Sequence, residues 1–167
     1  MQEDSFDGGE TIQDLSRPEH LLVWALRAIA IGQGDCPLIA QTFAKACGPM
    51  GGRALQAYFI LVKLIGMTGR RRLQVHVPGC PCVSPDERAI IGVVAAAQDS
   101  VLGSSGEKPL EMRLRFLIGC EPHRSFLFAA REVAEVLEAS GHNLPLRLNT
   151  EGCGPAEISA PQLHVVH

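Results

Sequence analysis

The residues best able to do chemistry sit in one short turn, His76-Val77-Pro78-Gly79-Cys80-Pro81-Cys82. Two cysteines separated by one residue place their alpha carbons about 6 to 7 Å apart in an extended chain, so both can reach one metal ion if the turn curls inward. A structural zinc site takes four thiolate, imidazole or carboxylate ligands, so the pair needs two more. His76 is the nearest, and Cys120 with His123 forms a second short pair that completes a tetrahedral set if the two places meet in space. The ion would be zinc or iron. The spacing does not repeat the double Cys-x-x-Cys of a zinc ribbon or the Cys and His pairs of a finger.

Two other readings compete for the same thiols. Cys82 lies two residues before a helix cap and Cys36 directly follows one, where the positive end of a helix favours a thiolate and redox chemistry. A Cys-x-Cys pair with proline between is not the thioredoxin motif, and no βαβ pattern surrounds it. The plainest reading makes Cys80 and Cys82 small apolar residues that fill the space before a buried helix. That reading leads, with metal binding as the first alternative and thiol redox as the second. No catalytic residue and no cofactor-binding residue is assigned.

The elements that must hold this turn are helices. Directly after it, Ser84-Pro85-Asp86-Glu87 combines a capping serine, a proline in the first turn and a glutamate three residues on, which is the capping box. The helix body that follows, residues 89–97, is apolar on all sides and predicts a central, surrounded helix. Upstream, Ser16 and Pro18 open a helix ending at Gly32; Asp35 is expected to cap a second, stopped at Gly48-Pro49. A third begins around residues 52–54, carries Leu55, Tyr58, Phe59, Val62 and Ile65 on one stripe, and is expected to end over Gly66 and Gly69. Residues 73–77 alternate and read as a short extended piece. Downstream, residues 100–108 read as a loop. Residues 110–118 alternate like a strand but use helix-forming residue types, and helix is preferred. Residues 122–140 form a further amphipathic helix closed by Gly141, with Cys47 of the second helix facing the core. Short extended pieces are expected near 144–148 and 163–166.

Other constellations are weaker. Gly48-Pro49-Met50-Gly51-Gly52-Arg53 precedes a helix but lacks the Gly-Lys-Ser/Thr of a phosphate loop, and reads as a solvated turn. Arg70-Arg71-Arg72 reads as a solvated helix end. Ser84 and Ser125 lack a nucleophile-elbow context and serve as caps. The carboxylates are expected on solvent-facing positions, which leaves no catalytic pair. Cys153 lies between two glycines, and His164 and His167 lie near the end of the chain, all without an evident role.

Composition bounds the rest. Of 167 residues, 46% are hydrophobic and 20% charged, which excludes a disordered chain and fits one globular domain. The net charge of −3 gives no general attraction to nucleic acid. The longest apolar runs fall short of the roughly 20 residues that span a bilayer, so no membrane association is expected. Residues 1–15 are acidic, without a secretory pattern, and read as a disordered tail on a cytoplasmic protein. Residues 16–148 make the helical domain and 149–167 an irregular tail.

The turn 78–87, the apolar helix after it, and the later helix ending Ser140-Gly141-His142-Asn143-Leu144-Pro145-Leu146 resemble a small alphaproteobacterial family of unknown function, over residues 20–148. The resemblance carries no activity and assigns no residue a role. The expectation is an all-α bundle of five to six helices, acting without catalysis as a structural or interaction module with a protein partner or its own copy as a homodimer.

Overall fold

The computed structural model describes residues 9–103, 106–147 and 163–166. Among these, six α-helices form a bundle: α1 (Arg17–Ala30), α2 (Pro37–Cys47), α3 (Gly51–Thr68), α4 (Pro85–Val101), α5 (Lys108–Ile118) and α6 (Arg124–Ala139). Two four-residue strands accompany them, β1 (Leu73–His76) and β2 (Leu163–Val166), paired in parallel with Leu73 opposite Leu163 and His76 opposite Val166. The all-α bundle expected from the sequence is therefore present.

Local chemistry explains where each helix starts. The Ser84 hydroxyl accepts from the Glu87 amide at 3.1 Å, and the Glu87 carboxylate accepts from the Ser84 amide at 2.8 Å, the reciprocal box read from the sequence. Cys36, not Asp35, stands at the cap of α2, and it makes no side-chain capping bond. The reason is Pro37, whose ring excludes the preceding residue from the helical region and sets the boundary there. Gly66 does not end α3, which runs on to Thr68, because one glycine inside a helix costs only about 1 kcal/mol.

The ambiguous stretch resolves as α5. Leu110, Leu114, Leu117 and Ile118 are buried while Met112 and Phe116 are exposed, so burial follows the helical period and not the alternation. The capping box also explains α4, whose Ile90, Ile91, Val93, Val94 and Ala97 are all but inaccessible. It contacts α1, α5, α6 and β1, while α3 lies along α6 and α2 and also touches α1 and α5, so α3 and α4 together form the centre of the bundle. Helix α4 continues to Val101, into the stretch expected as loop.

Two expectations about the ends change. From Glu10 onward the N-terminal segment is held: the Val83 amide donates to the Glu10 carbonyl at 2.9 Å and the Ile12 amide to the Pro81 carbonyl at 2.7 Å, with a short 3-10 turn at Ile12–Asp14. The segment orders here because its backbone pairs with the thiol turn and because Ile12 and Leu15 pack, half-buried, against the core. At the other end β2 returns to the domain, whereas residues 144–147 are irregular and the remainder of that expected extended piece lies outside the described residues. No helix among the described residues is long and apolar enough to cross a membrane.

Helices α2 and α3 are joined by one 3-10 turn, Gly48–Met50, and Gly51 touches the end of α2 so closely that a Cβ there would run into the Phe43 carbonyl. Gly51→Ala is expected to lower stability by about 1 to 3 kcal/mol, read as a drop in the urea midpoint at unchanged m-value. Gly52→Ala, inside the same helix but with open space around it, is expected to raise the midpoint slightly.

Candidate functional site

The thiol turn is built around a charged side chain that comes from more than fifty residues earlier in the sequence. Arg27, in the last turn of α1, is 2% exposed, and Glu87 in the first turn of α4 is fully buried. Their contact is bidentate: Arg27 Nε donates to Glu87 Oε1 at 2.7 Å and Nη2 to Oε2 at 3.0 Å. The remaining guanidinium donors face the turn, with Nη1 on the Cys80 carbonyl at 2.6 Å and Nη2 on the Cys82 carbonyl at 2.5 Å. Glu87 also accepts from the Ser84 amide and, at 3.0 Å, from the His76 amide. A buried pair is tolerated only when its lone pairs and protons are satisfied in this way.

The first turn of α4 also closes the edge of β1. The Gln74 amide donates to Asp86 at 2.7 Å, the Ser84 hydroxyl donates to the Gln74 carbonyl at 2.5 Å, and Asp86 accepts from Arg71 at 2.5 Å. Arg71 further lies over the Phe116 ring at 5.7 Å. The arginine run after α3 is thus not wholly solvated: its middle member is bound into the site. Tyr58 of α3 is inaccessible and donates to the Leu22 carbonyl at 2.9 Å. Burial, and then the Glu87 carboxylate, push its phenol far above the ordinary value.

Beside this clasp lies a second ionic cluster. Arg88 pairs with Glu10 and, at 2.6 Å, with the fully buried Glu19; Arg147 donates to Glu10 at 2.7 Å and to Glu19 at 3.3 Å. Burial raises the pKa of Glu19, but the Ser16 hydrogen bonds and Arg88 outweigh it and hold the carboxyl below its ordinary value.

The thiols stand around this framework without converging. Cys80, Cys82 and His76 are half-buried, Cys120 is half-buried at the end of α5, and His123 is exposed. His123 caps α6, its Nδ1 accepting from the Ser125 amide at 3.4 Å and lying 3.1 Å from the Ser125 hydroxyl. Among the described residues no three His, Cys, Asp or Glu side chains gather closely enough to hold a metal ion. Cys47 is buried as expected, and burial raises its thiol pKa despite a hydrogen bond with Ser140. Cys153 lies outside the described residues. Arg53 pairs with Glu132 at 2.6 Å instead of facing an anion beside the 48–53 turn.

Sequence reasoning missed Arg27, Glu19 and the partners of Asp86, having placed the carboxylates at the surface. Arg27 did carry a signal. It interrupts an apolar run on a helix whose neighbour one turn back, Val23, is a core residue, so its face had to be inward and its charge had to be matched.

Compared with protein-family models, curated proteins and solved structures, the chain matches none.

Removing one partner of the clasp strands the other in the interior. Arg27→Met is expected to cost about 3 to 5 kcal/mol in chemical unfolding, because Glu87 keeps its burial and loses its counter-charge.

Glu19 makes stability depend on pH. Its contribution is present in full above the unfolded carboxyl value, taken as 4.5, and is lost as pH falls through the lower folded value. Urea midpoints measured across the acid range should therefore fall less steeply with decreasing pH in Glu19→Gln than in the natural chain.

Proposed function

We propose that this protein is a non-enzymatic helical module that works through protein contact, beginning with contact between two copies of itself along the α3–α6 face. The carrying observation is the exposed pair Ile60 of α3 and Phe128 of α6, 44% and 68% accessible, which line a groove of about 390 Å³ between those helices. Arg53, Arg124 and Glu132 border the same groove, so one face presents both signs of charge around an apolar centre. A two-fold contact requires a surface complementary to itself, and a patch of mixed sign with a central aromatic meets that requirement. The interior supports the non-enzymatic part of the reading. The buried carboxylates of Glu87, Glu19 and Asp86 all accept hydrogen bonds from neighbouring arginines, which keeps them engaged in structure.

Light scattering after size exclusion tests this. The natural chain should run at twice its 17.9 kDa mass at high concentration and dissociate on dilution, while Phe128→Glu should remain a monomer with unchanged helix content. A natural chain that is monomeric at every concentration defeats the proposal.

A further inference from the structure

A second groove, of about 530 Å³, lies between α1 and α2, and its character differs from that of the α3–α6 face. Its apolar floor comes from Leu21, Trp24 and Leu38, the last 58% exposed. Its rim carries Arg17, His20 and Lys45, and no carboxylate lines it. The carboxylate that α1 does carry in this stretch, Glu19, is fully buried and turned to Arg88 and Arg147. Seven arginines elsewhere are ion-paired; Arg17 and Lys45 are among the Lys and Arg that pair with no described residue, and here two of them border one groove. In a chain of net charge −3 this is a local concentration of unmatched positive charge around an apolar floor. The groove wall is also held in place: His142 Nε2 donates to the Ala46 carbonyl at 2.8 Å, tying the segment after α6 to the end of α2.

A one-sign rim cannot complement its own copy, so this groove is not a two-fold contact. It complements a negative partner with an apolar stripe. We infer that the α1–α2 groove receives an acidic amphipathic helical segment of another protein, with apolar side chains one turn apart on Leu21, Trp24 and Leu38 and flanking carboxylates on Arg17 and Lys45. This rests on the reading of the protein as a contact module and names the partner chemistry of a separate face. The cationic rim speeds and orients encounter, and the apolar floor holds the docked segment.

The groove contains its own reporter, since Trp24 is the only tryptophan of the chain. The full-length protein is titrated with a synthetic helical peptide of about 14 residues, roughly four turns, bearing Leu one turn apart and Glu on both flanks. Its Glu-to-Lys counterpart and octanoate are titrated separately. The acidic peptide should shift Trp24 emission to the blue and saturate, and the affinity should fall as ionic strength rises from about 0.05 to about 0.5 M. Arg17→Gln/Lys45→Gln should weaken it about tenfold without changing helix content, and Phe128→Glu should bind it as the natural chain does. No Trp24 response, equal binding of the Lys peptide, or an unaffected Arg17→Gln/Lys45→Gln variant overturns the inference. Octanoate acting as strongly as the peptide also overturns it and assigns the groove to small amphipathic anions. The self-association measurement is independent, since neither rim substitution touches Phe128: loss of peptide binding with the dimer retained removes this inference alone, and a monomeric chain that still binds the peptide removes only the self-association.

Discussion

The fold depends on matching one buried charge. Arg27 projects from α1 into space otherwise filled by aliphatic side chains, and in that setting a guanidinium is stable only if every direction it faces supplies an acceptor. Glu87 supplies two oxygens, and the carbonyls of Cys80 and Cys82 supply the others. Meeting that demand fixes the direction in which α4 starts, the path of the turn before it and, through Ser84, Asp86 and Glu87, the position of β1. The apolar body of α4 then fills the centre of the bundle, but its entry point is electrostatic.

This arrangement changes the meaning of the thiol turn. Side-chain chemistry drew attention to it, yet its backbone carbonyls carry the contact with Arg27. The cysteines occupy half-buried positions at a place whose geometry is dictated by main-chain acceptors and by the pairing of Glu10 and Ile12 with Val83 and Pro81. Among the described residues the histidines and cysteines proposed as metal ligands are drawn into local tasks or left apart. His123 is the clearest case, a capping group at the start of α6.

Much of the helical framework was legible because its signals are local. A capping serine with its glutamate three residues on, prolines in first turns and an apolar stripe at helical period each act within a few residues. They located α1, α3, α4 and α6 well, and residue types correctly outweighed alternation in α5. What could not be read was contact between distant segments. Whether Arg27 meets Glu87, whether residues 10–12 pair with residues 81–83 and whether β2 returns to β1 depend on how helices pack, and no short window of sequence contains that information. Charged residues misled for the same reason: an acidic side chain looks solvent-facing until its partner, sixty or more positions away, is brought beside it.

That separation also has a meaning in time. Arg27 emerges from synthesis 60 residues before Glu87, and at typical elongation rates this is an interval of about 3 to 12 seconds. During it, α1, α2 and α3 can form locally, but the face of α1 that carries Arg27 has no matched site to close onto. The ion pair that organises the finished bundle can thus close only after all of α1, α2 and α3 have been made.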